Sequence, residues 1–343
     1  MGILDFLYND LAIDLGTANT VIISKGKIVV DEPSIIAIDR TTSKVIALGR
    51  LALQMHEKTH ENIKTIKPLK DGVIANYQAA EMMIRGMIKM ANSSKWSIVK
   101  PLFNRMVICI PSGITDVEKR AVRDSAEHTG AKEVYMIYEP IAAALGININ
   151  ILEPKGSMIV DIGGGTTEIA VIALAGIICD QSIRIGGDAI NMDILEYMRK
   201  QYNLLIGERT AERIKIEIGA AVKDLDEIPA NIEVSGRDLL SGIPKVITIS
   251  YEEVIPALEK SIAKIEEAVL KVLEEAPPEL AADIQERGIY LTGGGALLRG
   301  LDKRIAQRTS LKVHVANDPL KAVVNGTGIA LKHIDMYKSV LIS

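Results

Sequence analysis

The stretch MIVDIGGGTTE at residues 158–168 repeats the design of an earlier stretch, LAIDLGTANT at residues 11–20. In each, an apolar run of strand character ends near an aspartate, Asp14 or Asp161, and a turn rich in Gly and Thr leads into a second β-rich run. The two stretches lie about half the chain apart, whereas solenoid repeats recur roughly every 20–50 residues. The repeat therefore predicts two related domains.

Size and composition agree with a two-domain globular protein. Of the 343 residues, 48% are hydrophobic and 24% are charged, which suits two domains of roughly 150 residues and excludes a disordered chain. Only 3% of the residues are aromatic, so the cores must be mainly aliphatic. At a net charge of −4, acidic and basic residues are interspersed, without the basic stripe of a nucleic-acid-binding protein. We therefore expect no nucleic-acid partner.

The N-terminus and the apolar runs bear on localisation. The start MGILDFLYND lacks the basic region and the long apolar run of a signal peptide, and Phe6 stands where a myristoylation motif requires Ser or Thr. No apolar run approaches the roughly 18 residues of a membrane-spanning helix. We expect a cytoplasmic protein that can contact a membrane from that side.

Both halves alternate strands and helices, which predicts an α/β fold. The patterns favour strands at residues 107–111, 134–137 and 289–292. They favour helices at residues 116–129, 140–145, 188–202, 210–222, 251–275, 301–308 and 318–331. Domain I is predicted at residues 1–150, with an inserted subdomain at about 33–71, and is completed by the C-terminal residues 318–343. Domain II is predicted at residues 151–317, with an insert at about 187–250.

The paired turns favour a phosphate site. Backbone N–H groups in a Gly-rich turn can form a nest for an anion, because no Cβ blocks the approach. Two such turns, with a third at residues 293–295 after an apolar run, can grip phosphate oxygens from two sides. Asp14 and Asp161 would then face a Mg²⁺ ion through water, since Mg²⁺ dehydrates reluctantly. The alternative is that each turn only connects a hairpin and each aspartate stabilises its turn.

Three motifs carry a resemblance to a known superfamily. DLGTANT, DIGGGTTE and LTGGGALLRG are similar to the phosphate-1, phosphate-2 and adenosine motifs of the ATPases that include actin, sugar kinases and heat-shock chaperones. Within that superfamily, IDLGTANT, EPIAAALG and DIGGGTTEIAVI resemble the MreB family of bacterial actins, and the likeness extends over essentially the whole chain. It implies an actin-like ATPase fold, with two related domains, a small insert in each, and ATP or ADP with Mg²⁺ in the cleft between them.

The resemblance also implies roles for particular residues. Glu212 and Lys215, three residues apart on one helix face, would hold the ribose and adenine, although the same spacing suits a surface ion pair. The residues expected to bind nucleotide are Asp14, Gly16, Thr17, Ala18, Asn19, Asp161, Gly163, Gly164, Gly165, Thr166, Glu212, Lys215, Gly293, Gly294, Gly295 and Ala296.

Hydrolysis requires a water molecule aligned with the γ-phosphate. Glu139 lies at a strand-to-helix junction before Pro140, where the MreB family has its water-positioning glutamate, and Thr166 would help to hold that water. A glutamate at the start of a helix can instead serve as a capping charge.

The few large aromatic residues lie outside the predicted core elements. Trp96 stands in SKWSIVKPLF at residues 94–103, and Phe6 stands in the apolar N-terminal stretch. Lys95, Lys100 and Arg105 flank this segment and suit anionic headgroups, and Trp is favoured at bilayer interfaces. The resemblance likewise implies membrane contact through a loop and an N-terminal segment, although these side chains could also form a small satellite core. The candidate membrane residues are Phe6, Leu7, Trp96, Ile98 and Phe103.

The resemblance implies a cell-shape protein whose filaments organise peptidoglycan synthesis, with slow ATP hydrolysis regulating polymerisation. The implied partners are further copies of the chain in paired protofilaments, the inner face of the cell membrane, and wall-elongation proteins such as RodZ and MreC. The alternatives within the superfamily are a small-molecule kinase, which needs a substrate-binding insert with a catalytic Asp, and a chaperone ATPase, which needs a peptide-binding domain. The sequence shows no signature of either.

Overall fold

The computed structural model describes residues 8–91 and 102–343. The strands are β1 Tyr8–Leu15, β2 Asn19–Ser24, β3 Lys27–Pro33, β4 Ile36–Asp39, β5 Val45–Leu48, β6 Ile63–Ile66, β7 Leu69–Lys70, β8 Val73–Ile74, β9 Leu102–Ile110, β10 Ala131–Tyr138, β11 Ser157–Ile162, β12 Thr167–Ala173, β13 Gly176–Ile183, β14 Leu204–Leu205, β15 Ile232–Asp238, β16 Pro244–Ile249, β17 Ile289–Thr292 and β18 Val313–Val315.

Helices lie between these strands along the whole described chain. They are α1 Gly49–Met55, α2 Tyr77–Ala91, α3 Asp116–Glu127, α4 Glu139–Gly146, α5 Gly187–Tyr202, α6 Glu208–Ile218, α7 Tyr251–Glu275, α8 Pro278–Arg287, α9 Leu301–Thr309 and α10 Ala322–Lys332. Short 3₁₀ turns span Gly294–Leu297, Pro319–Lys321 and Lys338–Val340.

The chain forms two compact units. Unit 1 comprises the described residues up to Pro154, together with Ile172–Ile178 and Leu320–Ser343. Unit 2 comprises Lys155–Val171 and Cys179–Pro319.

Two five-stranded sheets have matching strand orders. The first, β3-β2-β1-β9-β10, corresponds strand by strand to the second, β13-β12-β11-β17-β18. In the first sheet, β1 pairs antiparallel with β2 and parallel with β9. In the second, β11 pairs parallel with β17, which pairs parallel with β18. The strands that precede the two Gly turns, β1 and β11, are therefore the central strands of their sheets, as expected for a duplicated unit.

Local signals account for the helices that the sequence predicted well. Glu118 N–H donates to Thr115 Oγ1 at 3.3 Å, and Thr115 N–H donates to the Glu118 carboxylate at 2.8 Å, so α3 begins with a capping box. The N–H and hydroxyl of Ser250 donate to Glu253 at the start of α7. That helix ends at Glu275, shortly before two prolines, which confirms the predicted bounds 251–275.

Two predicted helix bounds were wrong by four residues, whereas the other predicted helix bounds differ by two residues or fewer. The α6 helix ends at Ile218, not at residue 222, because Gly219 turns to extended backbone and Ala220 pairs with Arg299 in a β-bridge. The α10 helix begins at Ala322, not at residue 318, because a 3₁₀ turn precedes it. The sequence patterns also missed α1, α2 and α8.

The buried cores are aliphatic, as the composition predicted. In unit 2 the core gathers side chains of the second sheet, α5, α6 and α7, and Tyr251 is the one aromatic among its fully buried described members. In unit 1 the core lies between the first sheet, α2 and α3, with methionines such as Met83 and Met106 filling its centre.

Two glycines allow α4 and α10 of unit 1 to cross at backbone contact. A Cβ at Gly326 would lie 1.7 Å from the carbonyl oxygen of Ala142, and a Cβ at Gly146 would lie 1.8 Å from that of Ala322. No side chain fits at either position, so this crossing fixes the direction in which α4 runs from its first residue, Glu139.

Candidate nucleotide-binding site

The first Gly turn joins β1 to β2 in unit 1. Gly16 is required there because a Cβ would lie 2.7 Å from the carbonyl oxygen of Asn19. Ser34 braces the turn from the side: its hydroxyl donates to the Gly16 carbonyl at 2.6 Å, and its N–H donates to the Ala18 carbonyl at 2.9 Å. The sequence analysis missed Ser34, since nothing in the motif indicates which distant residue holds the turn.

The side chains of this turn differ in exposure. Thr17 is buried, and its Oγ1 accepts a hydrogen bond from the N–H of Gly72 at 3.0 Å, which leaves the hydroxyl proton to donate. Ala18 and Asn19 are exposed, and Asp14 is half-buried on β1. The turn thus offers a hydroxyl and an exposed amide side chain beside one aspartate.

The second Gly turn joins β11 to β12 in unit 2 and is held by α5. The N–H of Gly163 donates to the Thr166 carbonyl at 2.9 Å and closes the turn. The carbonyls of Gly163 and Gly164 accept from the N–H groups of Gly187 and Asp188, at 3.0 and 2.8 Å. These bonds fix the peptide planes of the turn.

The remaining amides of this turn are suited to an anion. Within the described chain, no hydrogen bond is made by the N–H groups of Gly164, Gly165 or Thr166. Adjacent unpaired amides in a glycine-rich turn form an anion-binding concavity. These amides belong to the turn that the sequence analysis assigned to phosphate binding, and the turn lies within unit 2.

Asp161 is a buried residue near the end of β11, just before the second Gly turn. Its side chain is on β11, the residue is only 4% exposed, and its Oδ1 accepts a hydrogen bond from Thr292 Oγ1 at 2.7 Å. The pKa of this carboxyl is raised to about 6, chiefly by burial and in part by the charge of the nearby Glu168, while the hydrogen bond from Thr292 lowers it. A bound cation would offset the cost of burial and favour the carboxylate.

The carboxylates of Asp14 and Asp161 are chemically suited to Mg²⁺, because carboxylate oxygens and water are its preferred ligands. Among the described residues, no cluster of three or more His, Cys, Asp or Glu could hold a metal by protein ligands alone. A Mg²⁺ ion at either aspartate would therefore depend on water and phosphate for its other ligands. Asp14 belongs to unit 1 and Asp161 to unit 2.

The third Gly turn packs onto the end of β11. A Cβ at Gly293, whose φ is +76°, would lie 2.4 Å from the Ile162 carbonyl oxygen, and one at Gly295 would lie 2.2 Å from the Ile162 side chain. Both glycines are thus needed for contact with β11. Gly294 is exposed and Ala296 is buried, so Gly294 supplies the accessible backbone of this turn.

Glu212 and Lys215 are linked to the second turn through α5. Lys215 Nζ lies 2.7 Å from Glu212 Oε2 and donates to the Gly187 carbonyl at 3.1 Å. The Lys215 side chain is 16% exposed and that of Glu212 is 45% exposed, so the pair is partly buried. Asn191 Nδ2 donates to Glu212 Oε2 at 2.6 Å and orients the carboxylate. The sequence analysis missed Asn191, whose partner lies on another helix.

The residues proposed for hydrolysis lie in different units. Glu139 is the half-buried first residue of α4 in unit 1, followed by Pro140. Thr166 is buried at the end of the second turn in unit 2. Both the water-positioning and the capping interpretation of Glu139 are compatible with its place in α4.

The candidate membrane residues fall largely outside the described chain. Phe6, Leu7, Trp96 and Ile98 lie outside it, and so does the side chain of Phe103, whose backbone pairs with Asn9. Within residues 8–91 and 102–343, no helix is both long and apolar enough to span a bilayer.

We expect Lys215→Met to weaken ATP binding about 10- to 100-fold, because charge-assisted hydrogen bonds to Glu212 and Gly187 would be lost. Titration with a fluorescent ATP analogue measures the affinity, and circular dichroism checks the fold. Lys200→Met is the control, since Lys200 forms a solvated pair with Glu196. Unchanged affinity in a folded Lys215→Met protein would show that the ion pair of Glu212 and Lys215 has only a structural role.

The chain is similar to known proteins of one family over nearly its whole length. A family model described as "MreB/Mbl protein" matches residues 8–339. The cell shape-determining protein MreB of Escherichia coli (strain K12) is 50% identical over 340 residues, which cover 98% of this chain and 96% of the relative. The cell shape-determining protein Mbl of Bacillus subtilis (strain 168) is 47% identical, covering 95% and 96%.

A solved structure with high similarity is the crystal structure of MreB 5 of Spiroplasma citri bound to AMPPNP. It superposes with a TM-score of 0.89 at 38% identity, over 97% of this chain and 98% of that chain. The same protein bound to ADP matches equally well.

Proposed function

Because the chain belongs to the MreB/Mbl family, we propose that it is an ATP-dependent filament protein that determines cell shape by organising peptidoglycan synthesis. It has the actin-like fold of that family. The relatives named above are cell shape-determining proteins, and the Spiroplasma protein binds AMPPNP and ADP in crystals.

The observation that carries the nucleotide part of this proposal is the second Gly turn. Its three amides without an intrachain bond, between Gly164 and Thr166, suit phosphate oxygens. The half-buried Lys215, which is paired with Glu212 and tied to the same turn through Gly187, places this ion pair beside the turn. In this proposal the turn holds the β- and γ-phosphates, and Glu212 with Lys215 holds the nucleoside.

Hydrolysis then requires positioning more than covalent chemistry. In this proposal Glu139 orients the attacking water and Thr166 holds it. Asp14 and Asp161 would hold Mg²⁺ through water, and the ion would supply charge that neutralises part of the phosphate charge. We propose slow turnover, as in filament proteins of this superfamily that use hydrolysis to time disassembly.

Exposed apolar residues support self-association. On the hairpin of β15 and β16, Leu240 is 83% exposed, Ile243 is 62% exposed and Val246 is 58% exposed. A contiguous exposed apolar surface indicates an interaction site. We assign this hairpin to the contact with the next copy along a filament, and propose paired protofilaments as the assembled form.

The filament is proposed to work at the inner face of the cytoplasmic membrane, with contact through Phe6, Leu7, Trp96, Ile98 and Phe103. Wall-elongation proteins such as RodZ and MreC are the proposed partners there, by family resemblance. The scarcity of aromatic residues supports the membrane assignment, because Trp96 is the only Trp and Phe6 and Phe103 are the only two Phe of the chain.

Electron microscopy of the protein on a lipid monolayer tests these proposals together. With ATP we expect paired filaments on the lipid, and with ADP or no nucleotide few or none. The Phe6→Ala, Trp96→Ala double variant should still form filaments with ATP in solution but lose those on lipid. Absence of polymer under every nucleotide condition would contradict the filament proposal, and lipid binding by the double variant would contradict the membrane assignment alone.

A further inference from the structure

A ring of hydrogen bonds joins α5 and α6 beside the second Gly turn, within unit 2. Lys215 Nζ, on α6, donates to the Gly187 carbonyl at 3.1 Å and to Glu212 Oε2 at 2.7 Å. Asn191 Nδ2, on α5, donates to the same oxygen of Glu212 at 2.6 Å. Because Gly187 and Asn191 stand four residues apart on one face of α5, the ring closes on the helix from which it starts.

The ring is connected to the phosphate turn at Gly187. The N–H of this glycine donates to the Gly163 carbonyl at 3.0 Å, while its own carbonyl accepts from Lys215. A Cβ at Gly187 would lie 2.9 Å from Lys215 Nζ, so the absence of a side chain leaves room for the ammonium group. The Glu212 carboxylate is therefore linked to the turn through Lys215 and Gly187.

The two oxygens of the Glu212 carboxylate differ in their hydrogen bonds. Oε2 accepts both bonds of the ring, whereas Oε1 accepts none from the described residues. The Glu212 side chain is 45% exposed, in contrast to the buried Asn191. A carboxylate can accept hydrogen bonds at both oxygens and has no proton to donate. Oε1 is thus available to a ligand that brings a hydroxyl or amine donor.

A purely structural role accounts poorly for an asparagine at position 191. Asn191 is 7% exposed, and its Oδ1 is buried without a donor among the described residues. An unpaired buried acceptor is costly, whereas an apolar side chain of similar volume would fill the space without that cost. Turning the amide over would place Oδ1 against the Glu212 carboxylate, so only the orientation with Nδ2 toward Glu212 is favourable. The hydrogen bond that Nδ2 donates is therefore what an asparagine supplies at this position.

We propose that Asn191 is a positioning residue that sets the preference of the site for ribonucleotides over deoxyribonucleotides. It holds Oε2 of Glu212, so that Oε1 accepts a hydrogen bond from a ribose hydroxyl, and it does not itself touch the nucleotide. Without its amide the carboxylate is held by Lys215 alone and can turn about the last bond of its side chain, so neither oxygen keeps a fixed direction. This inference rests on the proposed function and deepens it, since it names the sugar that the site selects.

The test compares the affinities of the full chain for ATP, 2′-deoxy-ATP and 3′-deoxy-ATP by competition with a fluorescent ATP analogue. Sugar selectivity is the dissociation constant of the weaker-binding deoxy analogue divided by that of ATP. We expect a selectivity of about tenfold or more in the original chain, because a hydrogen bond to a charged group typically changes affinity by about 10- to 100-fold. Asn191→Leu should lower the selectivity to about threefold or less, by weakening ATP binding while the deoxy analogue stays within about twofold.

Three further variants make the result specific to the amide of Asn191. Met192→Leu changes the next residue of α5, which is 59% exposed, and as the matched control should keep the selectivity of the original chain. Glu212→Ala should abolish the selectivity, because it removes the acceptor itself. Asn191→Ala also lacks the amide and takes the place of Asn191→Leu if circular dichroism shows that the larger side chain prevents folding.

Each outcome decides the assignment. An equal loss of affinity for ATP and for both deoxy analogues in a folded Asn191 variant would leave Asn191 only a structural role and overturn the inference, and so would an unchanged selectivity in that variant. Equal binding of the three nucleotides by the original chain would overturn it too, while the ATP binding of the proposed function would stand. Failure of the original chain to bind any of the three would contradict the proposed function itself.

Discussion

Glu139→Gln and Glu139→Ala are expected to lower single-turnover ATP hydrolysis by about 10²-fold or more while leaving the affinity for ATP within about twofold. The reason is that removal of a group that positions or activates a reacting water typically costs 10²- to 10⁴-fold or so in rate. Quenched-flow measurement of phosphate release with protein in excess over ATP gives the rate of the chemical step, and nucleotide titration gives the affinity.

The capping interpretation of Glu139 makes the opposite prediction. A carboxylate in the first turn of a helix stabilises it by roughly 0.3–1 kcal/mol through the helix dipole. If that were its role in α4, Glu139→Gln would lower the melting temperature and leave hydrolysis unchanged. Glu133→Gln, on an exposed residue of the preceding strand β10, is the control for loss of a nearby charge.

Gly326→Ala is expected to destabilise the protein by about 3 kcal/mol or more. The added methyl group would lie 1.7 Å from the Ala142 carbonyl oxygen and 2.8 Å from the Gly146 nitrogen, and both neighbours are backbone atoms that cannot rotate away. Overpacking of a core commonly costs about 1–3 kcal/mol, and a clash with helix backbone belongs at or above the upper end. Urea denaturation followed by circular dichroism measures the change.

Gly328→Ala is the matched control on the same helix. Its added Cβ would make ordinary contact with the Ile23 side chain, at 3.4 Å, and alanine favours a helix over glycine by about 1 kcal/mol. We therefore expect this variant to be as stable as the original chain or slightly more stable. If Gly326→Ala were equally well tolerated, the close crossing of α4 and α10 would be wrong.

Much of the architecture could be predicted because it depends on local signals. The two stretches around Asp14 and Asp161 predicted two related domains, and in the structure they lie on β1 and β11, the central strands of two matching sheets. The α7 helix was predicted to its last residue because two prolines follow its end, and the structure adds a capping box of Ser250 and Glu253 at its start. By contrast, α6 was extended too far, since the apolar pattern continues beyond Gly219 and the bridge that redirects the chain is formed with the distant Arg299.

The sequence analysis chose the residues of the Gly turns but not the residues that hold those turns in place. Gly163 to Thr166 could be chosen from the motif, whereas Ser34, Asn191 and Thr292 act through contacts with residues far away in the chain. Gly293 and Gly295 show a different limit of sequence analysis. A glycine motif indicates that a Cβ does not fit, but not whether a ligand or a neighbouring strand lies against the glycine. In this chain the close neighbour is Ile162.

The discontinuous make-up of unit 1 has a consequence for biosynthesis. Chains emerge from the ribosome N-terminus first, and domains generally fold as they become complete. Since α10 follows all of unit 2 along the chain, the backbone of α4 near Gly146 stays uncovered throughout synthesis of unit 2. Nascent unit 1 therefore exposes apolar surface for that whole interval, which makes it a substrate for chaperones that act at the ribosome, while unit 2 can complete its fold earlier.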